Sequence, residues 1–109
     1  MTTNDHARRG RAQVLFREVN KRIAEVIVAN AYDGPMFFVC ECSDESCAET
    51  IELSAVEYDL IRQDPLTFFV TPGHEQHDIE RVERGTDRYV VVEKLGEAAA
   101  AIRASTPPE

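Results

Sequence analysis

The three cysteines of the chain constrain its fold most, because all of them lie within eight consecutive positions, 40 to 47. The apolar segment MFFVCECSDESC ends in this cluster. Zinc prefers thiolate and imidazole ligands at the corners of a tetrahedron. Side chains two apart on a strand point to the same side, and a four-residue loop can bring a third cysteine back beside them. We therefore predict a zinc site formed by Cys40, Cys42, Cys47 and His74.

The fourth ligand of this predicted site is separated from the last cysteine by 26 intervening residues. His74 is favoured because it follows Pro72-Gly73, a pair typical of a tight turn that presents the next side chain. The competing candidates for the fourth ligand are His77 and the harder ligands Glu75 and Asp78. His6 is disfavoured because it lies too far into the N-terminal segment.

The composition of the cluster favours a structural zinc ion, because three cysteines and one histidine leave no coordination position for water. If His74 does not bind, an open position would make the cluster a candidate enzyme site, with Glu41, Glu75 or His77 as the base. Three buried, inert thiols are the simplest alternative. A redox role is disfavoured by the absence of C-x-x-C. The sequence also lacks a phosphate-binding glycine loop, a nucleophile elbow and an H-E-x-x-H motif.

Length and composition indicate a single domain, residues 1–109, of an ordinary globular protein with 43% hydrophobic and 29% charged residues. No stretch approaches the roughly 20 apolar residues that span a bilayer, so we expect no membrane segment. The N-terminal residues MTTNDHARRGR lack the apolar core of a secretory signal. We therefore expect a cytoplasmic location, where thiols stay reduced and available to a metal.

Charge is distributed unevenly along the chain, whose net charge is −8. Residues 1–33 hold six basic and four acidic side chains, whereas the remainder holds six basic and sixteen acidic ones. An acidic surface repels phosphate, so we expect no nucleic-acid binding by the body of the protein. Binding to RNA or to the ribosome would have to use the N-terminal segment, although a solvated helix face explains its charges more simply.

A long N-terminal helix is predicted from about Arg8 to Asn30, after a disordered leader of residues 1–7. Apolar residues recur there at spacings of three and four, which places them on one stripe that packs on the sheet or on a second copy. The stripe consists of Ala12, Phe16, Val19, Ile23, Val26 and Ile27.

The middle of the chain is predicted to contain two strands, 36–41 and 49–53, followed by a short helix. The apolar residues on both faces of the first strand indicate a central strand. Ser54 and Glu57 have the spacing of a capping box, with Leu53 and Tyr58 placed as a hydrophobic staple. This helix is predicted to bury Val56, Leu60 and Ile61, and to end before Pro65.

The last third of the chain is predicted to form a strand at 66–71 and a hairpin with arms at 78–84 and 88–94. A short helix is an alternative for the first arm. The alanine run after Gly96 predicts a final helical turn or two, and residues 104–109 are expected to be flexible. The fold class is thus α+β, a long N-terminal helix with a small, mostly antiparallel sheet, one short inserted helix and a metal site that joins them.

Five segments resemble those of a group of small uncharacterised bacterial proteins with a C-x-C-x₄-C cluster and a later P-G-H-E motif. The similarity covers roughly residues 15–94, and its segments are LFREVNKRI, FVCECSDESC, LSAVEYDLIRQDP, TPGHE and RYVVVEK. The resemblance implies that the three cysteines and His74 act together as a zinc site. It implies no activity.

The function expected from these patterns is that of a non-enzymatic interaction or regulatory protein with a structural zinc ion. A small core is marginal alone, and a bound metal would stabilise it. The N-terminal helix or a sheet edge would then bind a protein partner. A metal-dependent enzyme with an open zinc site is the first alternative, and RNA or ribosome binding through the basic N-terminal helix is the second.

Overall fold

A computed structural model describes residues 2–44 and 46–105, with the side chains of residues 2–6 and 105 outside the description. Within these ranges the chain forms three helices and five strands. They are α1 (Thr2–Ala29), β1 (Met36–Val39), β2 (Thr50–Leu53), α2 (Ala55–Arg62), β3 (Thr67–Val70), β4 (Glu80–Gly85), β5 (Val90–Lys94) and α3 (Gly96–Ser105). The predicted α+β class is confirmed.

The strands form two small antiparallel sheets, β1–β2 and β3–β5–β4. The first arm of the predicted hairpin is a strand rather than a helix, and β4 pairs with β5 around a turn closed by Thr86 N–H and Tyr89 O. The two sheets meet just after β1, where the Glu41 N–H donates to Phe69 O at 2.9 Å. That bond covers the outer edge of β3 and brings the end of β1 beside it.

Helix α1 begins at Thr2, so the prediction of a disordered leader over residues 1–7 is wrong for residues 2–7. Ala7 is a strong helix former, and each residue added to an existing helix gains a backbone hydrogen bond. Arg9 ties this end to the body, because its guanidinium donates to Asp78 Oδ2 at 2.5 Å. The C-terminal residues 106–109 lie outside the described residues.

The buried side of α1 matches the predicted apolar stripe only in part, since Ala12 is buried and Ile23 and Ile27 pack half-buried against the core. Gly10, Ala12, Gln13 and Asn20 are buried, whereas Val19 and Val26 are 46% and 60% exposed. The prediction was wrong for these two valines, because buried polar contacts of α1 turn a different face towards the sheet.

Strand β1 is not central, contrary to the prediction, because it pairs with β2 in a two-stranded sheet. Phe38 is fully buried, whereas Phe37 on the opposite face is 54% exposed. The apolar residues on both faces of β1 therefore did not indicate that both of its faces are buried.

Helix α2 begins with the predicted capping box. The Ser54 hydroxyl accepts from Glu57 N–H, and the Glu57 carboxylate accepts from Ser54 N–H. The prediction of its buried side was wrong for two residues, since Val56 and Leu60 are 67% and 53% exposed.

The orientation of α2 follows from an aromatic contact. The ring of Tyr58 stacks on Phe38 with centroids 4.7 Å apart, and this contact turns Tyr58 and the predicted Ile61 into the core. Helix α3 packs along α1 through the alanine run, with Ala98, Ala99 and Ile102 buried. Among the described residues, no helix combines the length and apolar character needed to cross a membrane.

Candidate metal centre

The predicted site residues lie together in the structure. Cys40 follows β1, Cys42 and Cys47 lie in the β1–β2 loop, and His74 lies in the β3–β4 loop. One donor atom of each lies within 4.8 Å of the other three. The Sγ atoms of Cys40 and Cys47 are each 3.6 Å from His74 Nδ1.

The two sulfur–nitrogen distances match those around a tetrahedral metal ion. With Zn–S near 2.3 Å and Zn–N near 2.0–2.1 Å, the edge between sulfur and nitrogen of a tetrahedron is about 3.6 Å. His74 presents Nδ1 to both sulfurs, so the other ring nitrogen points away from the cluster. The four side chains therefore lie close enough to hold one metal ion.

The β1–β2 loop positions the cysteines through its backbone. The Cys40 N–H donates to Glu49 O at 3.0 Å, which extends the pairing of β1 and β2, and the Cys47 N–H donates to Asp44 O at 3.0 Å. Cys40 and Cys42 are buried and Cys47 is partly exposed. The local chain thus gathers all three thiols without a disulfide bond.

The tight turn before His74 forms as predicted. The His74 N–H donates to Thr71 O at 2.9 Å, and Gly73 has a φ of 94°. Such a positive φ suits glycine at the third position of a type II turn after proline. The Thr71 N–H also donates to Cys40 Sγ at 3.2 Å, so the turn contacts the cysteine cluster directly.

Hydrogen bonds prepare one thiol for ionisation. A hydrogen bond from the Cys42 thiol lowers the pKa of Cys40 well below its ordinary value, and a hydrogen bond from the Thr71 N–H adds a smaller contribution in the same direction. The pKa of Cys42 is raised, chiefly because it donates to Cys40, and burial acts in the same direction. Thiolates are the form that binds a metal, and an ion at this point would favour ionisation of every cysteine.

Glu41 lies between two of the cysteines and was not predicted to be buried. Strand alternation directs it away from the sulfurs and into a fully buried polar cluster. Its carboxylate accepts from Arg62 at 2.5 Å, Asn20 at 2.7 Å and Phe69 N–H at 3.2 Å. Burial raises the pKa of Glu41, while Arg62 opposes that rise. Glu41 therefore fixes the backbone that carries Cys40 and Cys42.

Helix α1 supports the same backbone with two buried amides. Asn20 donates to Val39 O at 2.9 Å and accepts from Val39 N–H at 2.8 Å, as a neighbouring strand would. Gln13 donates to Glu41 O at 2.9 Å. The two amides lie about two helical turns apart and so share one face of α1. The seven-residue spacing of the two amides was the feature of the sequence that could have indicated this buried face. A search for apolar periodicity does not detect it, because both residues are polar.

A second polar network joins the two loops that carry the site. Ser43 Oγ donates to Gln76 Oε1 at 2.6 Å, and Arg9 donates to the same oxygen at 2.8 Å. The Gln76 N–H donates to Glu80, which forms a fully buried ion pair with Lys94. Burial lowers the pKa of Lys94 to about 7. The cysteine loop and the histidine loop are thereby held at a fixed separation.

The alternative ligands are engaged elsewhere or lie outside the cluster. Glu75 accepts from Gly73 N–H at 2.8 Å, and Asp78 binds Arg9. The cluster found among the described residues contains neither of them, nor His77. The side chain of His6 lies outside the described part of the chain.

Comparisons with family models, with curated proteins and with solved structures found no match to this chain. The resemblance to small bacterial proteins with a C-x-C-x₄-C cluster therefore stays an expectation from sequence segments. What the site can do follows from its own geometry.

Proposed function

We propose that the protein binds one structural zinc ion through Cys40, Cys42, Cys47 and His74, and acts as a non-enzymatic interaction or regulatory protein. The observation that carries this proposal is the mutual distance of the four donors, with two sulfur–nitrogen separations at the tetrahedral edge. Three thiolates and one imidazole would complete the shell of the ion. The soft donor set favours zinc over magnesium or calcium, which prefer oxygen ligands.

The surroundings support a structural rather than a catalytic role. A general base must be free to take a proton from a metal-bound water. Glu41 is fully buried in its ion pair with Arg62, and Glu75 is bound to the backbone of its own turn. The main acidic candidates are thus committed to the fold.

The basic N-terminal segment gives little support to RNA binding. Arg9 contacts Gln76 and Asp78, and Arg17 donates to Pro65 O at 2.6 Å. These two cations hold α1 against the body. Arg8, Arg11 and Lys21 are exposed, but the net charge of −8 repels phosphate. We therefore propose a protein partner, and a cytoplasmic location in which the thiols remain reduced.

Metal analysis of the purified protein tests the proposal. We expect close to one zinc ion per chain in the unaltered protein and in the control His77→Ala, and a large loss in Cys42→Ser and His74→Ala. Cobalt substitution should give the visible absorption of a tetrahedral thiolate site. A chain purified without metal would refute the proposal, and full zinc content in His74→Ala would reassign the fourth ligand.

A further inference from the structure

The three cysteines of the candidate metal centre differ in their exposure to solvent. Cys40 and Cys42 are each 2% exposed and belong to the hydrophobic core, whereas Cys47 is partly exposed and packs against the edge of that core. Oxidation of cysteine follows the exposure and the thiolate character of its sulfur, and a cysteine that binds zinc is a thiolate. A dissolved oxidant therefore reaches the sulfur of Cys47 before the other two.

A second thiol lies close to Cys47 on the same loop. The sulfurs of Cys42 and Cys47 belong to the group of donor atoms that lie within 4.8 Å of one another. A disulfide bond requires a sulfur–sulfur distance of about 2.05 Å. Four residues of the β1–β2 loop separate the two cysteines. A movement confined to this loop would therefore bring the two sulfurs to bonding distance.

Cys40 is a less suitable partner for Cys47, because other parts of the chain hold it on two sides. The Cys40 N–H donates to Glu49 O at 3.0 Å, and its Sγ accepts from Thr71 N–H at 3.2 Å. A bond to Cys47 would compete with both contacts. The contact of Cys42 Sγ with Asp44 O, at 3.9 Å, lies within the loop itself.

We propose that Cys47 is a site of oxidation by peroxides, and that the oxidised Cys47 forms a disulfide bond with Cys42 and thereby releases the bound zinc ion. This proposal concerns the regulation of the metal site and rests on the proposed function. It describes a response to an oxidant, and not the catalytic thiol exchange for which C-x-x-C is the favoured spacing.

The reaction consumes one molecule of peroxide for each disulfide bond. The Cys47 thiolate attacks one oxygen of hydrogen peroxide, the O–O bond breaks, and the products are a sulfenic acid and a hydroxide ion. The Cys42 thiolate then attacks the Cys47 sulfur, which forms the S–S bond, breaks the S–O bond and releases a second hydroxide ion. The two sulfurs lose two electrons, which the peroxide takes up. A dithiol reductant reverses the change by thiol–disulfide exchange and is itself oxidised to a disulfide.

The disulfide bond would remove two of the four ligands and leave Cys40 and His74. Structural zinc is almost always held by four ligands, so two would not retain it. The remaining pair belongs to two separate parts of the chain, the end of β1 and the β3–β4 loop. Release of the ion would therefore disconnect these parts, and the amount of peroxide would control the stability of the fold that binds the protein partner.

Treatment of the zinc-loaded full chain with increasing hydrogen peroxide tests the proposal. We expect release of one zinc ion for each disulfide bond formed, measured with a colorimetric zinc indicator, and an intact mass lower by two hydrogen atoms. Dithiothreitol and added zinc should restore the original mass and metal content. Zinc that stays bound in excess peroxide, with all thiols unreacted, overturns the proposal.

Peptide mapping locates the disulfide bond. A protease that cleaves after glutamate separates the three cysteines, because Glu41 and Glu45 lie between them in the sequence. We expect the peptide of residues 42–45 to be linked to the peptide of residues 46–49, with Cys40 still a free thiol. Methionine oxidation is distinguished by its added oxygen. A bond from Cys40 as the main product overturns the assignment.

Two matched variants keep four metal-binding side chains and remove one thiol. Cys47→His should release zinc in peroxide about tenfold more slowly than the unaltered chain, because the exposed thiol is gone. Cys42→His leaves that thiol without its partner, so peroxide should add oxygen to Cys47 instead of forming the disulfide bond. Equal rates of zinc release from Cys47→His and the unaltered chain overturn the proposal. If a variant binds no zinc, the peptide map of the unaltered chain decides.

Metal content measured before oxidation separates the two proposals. A zinc-loaded chain whose metal is insensitive to peroxide refutes the oxidation site and leaves the zinc site intact. A chain purified without metal refutes the zinc site and the release of zinc, whereas the peptide map still decides whether Cys42 and Cys47 pair.

Discussion

The turn that follows helix α1 contains Ala31, whose φ of 51° lies in the left-handed region. The Tyr32 N–H donates to Ile27 O and the Ala31 N–H to Val28 O, each at 3.1 Å, which is the Schellman pattern. Glycine is the usual residue at this position because a Cβ atom is strained there.

Ala31→Gly should therefore stabilise the protein by about 0.5–1 kcal/mol, the relief of left-handed strain less the entropy that glycine gains on unfolding. Chemical denaturation measures the difference. Ala29→Gly is the control, because Ala29 is the last residue of α1, and the same change there should cost about 0.5–1 kcal/mol of stability. Destabilisation by both substitutions would contradict the prediction.

Glu57 gives the protein a measurable dependence on acid. Hydrogen bonds from Ser54 N–H and the Tyr89 hydroxyl lower the pKa of Glu57 to about 2. The unfolded value is near 4.3. A lowered pKa contributes stability that is complete above the unfolded value and is lost as the pH falls towards 2.

The stability difference between the unaltered protein and Glu57→Gln should therefore shrink as the pH falls from about 5 to about 2. Denaturation curves at several pH values give the comparison. Glu49→Gln, at an exposed position of the β1–β2 loop, should run parallel to the unaltered protein. A constant difference for Glu57→Gln would show that its hydrogen bonds do not favour the carboxylate.

Features that depend on neighbouring residues were predicted well from the sequence, whereas features that depend on distant residues were not. The capping box of Ser54 and Glu57 is contained in four residues, so the sequence alone was sufficient. The burial of Glu41 depends on Arg62, 21 positions later, and on Asn20 in another helix. Nothing in a strand sequence distinguishes a glutamate in solvent from one with a distant cation.

At the scale of elements, α1 and α3 lie close together at Gly10. A Cβ atom at this position would lie 2.7 Å from Ala98 O, which belongs to the backbone of α3. Glycine normally weakens a helix, and replacement by alanine normally strengthens it. At Gly10 the close approach of the two helices reverses the expected effect, so alanine should lower the stability of the protein.

Gly10→Ala should destabilise the protein by about 1–3 kcal/mol, because the two helices must move apart. Gly85→Ala is the control, since its nearest neighbour would be at an ordinary 3.5 Å, and its effect should stay within about 0.5 kcal/mol. Thermal unfolding of both variants tests this. An increase in stability for Gly10→Ala would mean that the helices are not in close contact.

The existence of α1 was predictable, and its orientation was predictable only in part, since Ile23 and Ile27 of the predicted stripe pack on the core while Val19 and Val26 do not. Periodicity identifies a helix whichever way it faces, and the predicted stripe correctly included Ala12. The rotation is decided by Gln13 and Asn20, whose amides replace a missing strand neighbour of β1. Likewise, Tyr58 determines the buried face of α2 through its stacking on Phe38.

At the scale of the molecule, removal of the proposed zinc ion should unfold the protein. Structural zinc contributes an apparent free energy of about 10–16 kcal/mol in small domains, which is comparable to the roughly 5–15 kcal/mol stability of a typical protein. A chelator should abolish cooperative unfolding together with the bound metal. Cys42→Ser should show no further response to the chelator. An unchanged melting temperature without metal would contradict a structural role.

The location of the candidate site was predictable because its residues are rare in the chain, which has three cysteines and three histidines. With so few cysteines and histidines, only a few sets of four metal ligands are possible. The junction between the two sheets was not predictable, because it depends on the hydrogen bond from Glu41 N–H to Phe69 O rather than on any strand pattern.

The donors of the site also imply an order of events during folding. The cysteines span eight positions and can gather in one short loop, whose closure takes about 10–100 ns. His74 reaches them only when the second sheet docks. Three thiolates could bind zinc early, and His74 would complete the coordination shell when the second sheet docks. We therefore expect the zinc concentration to affect the rate of folding as well as its equilibrium.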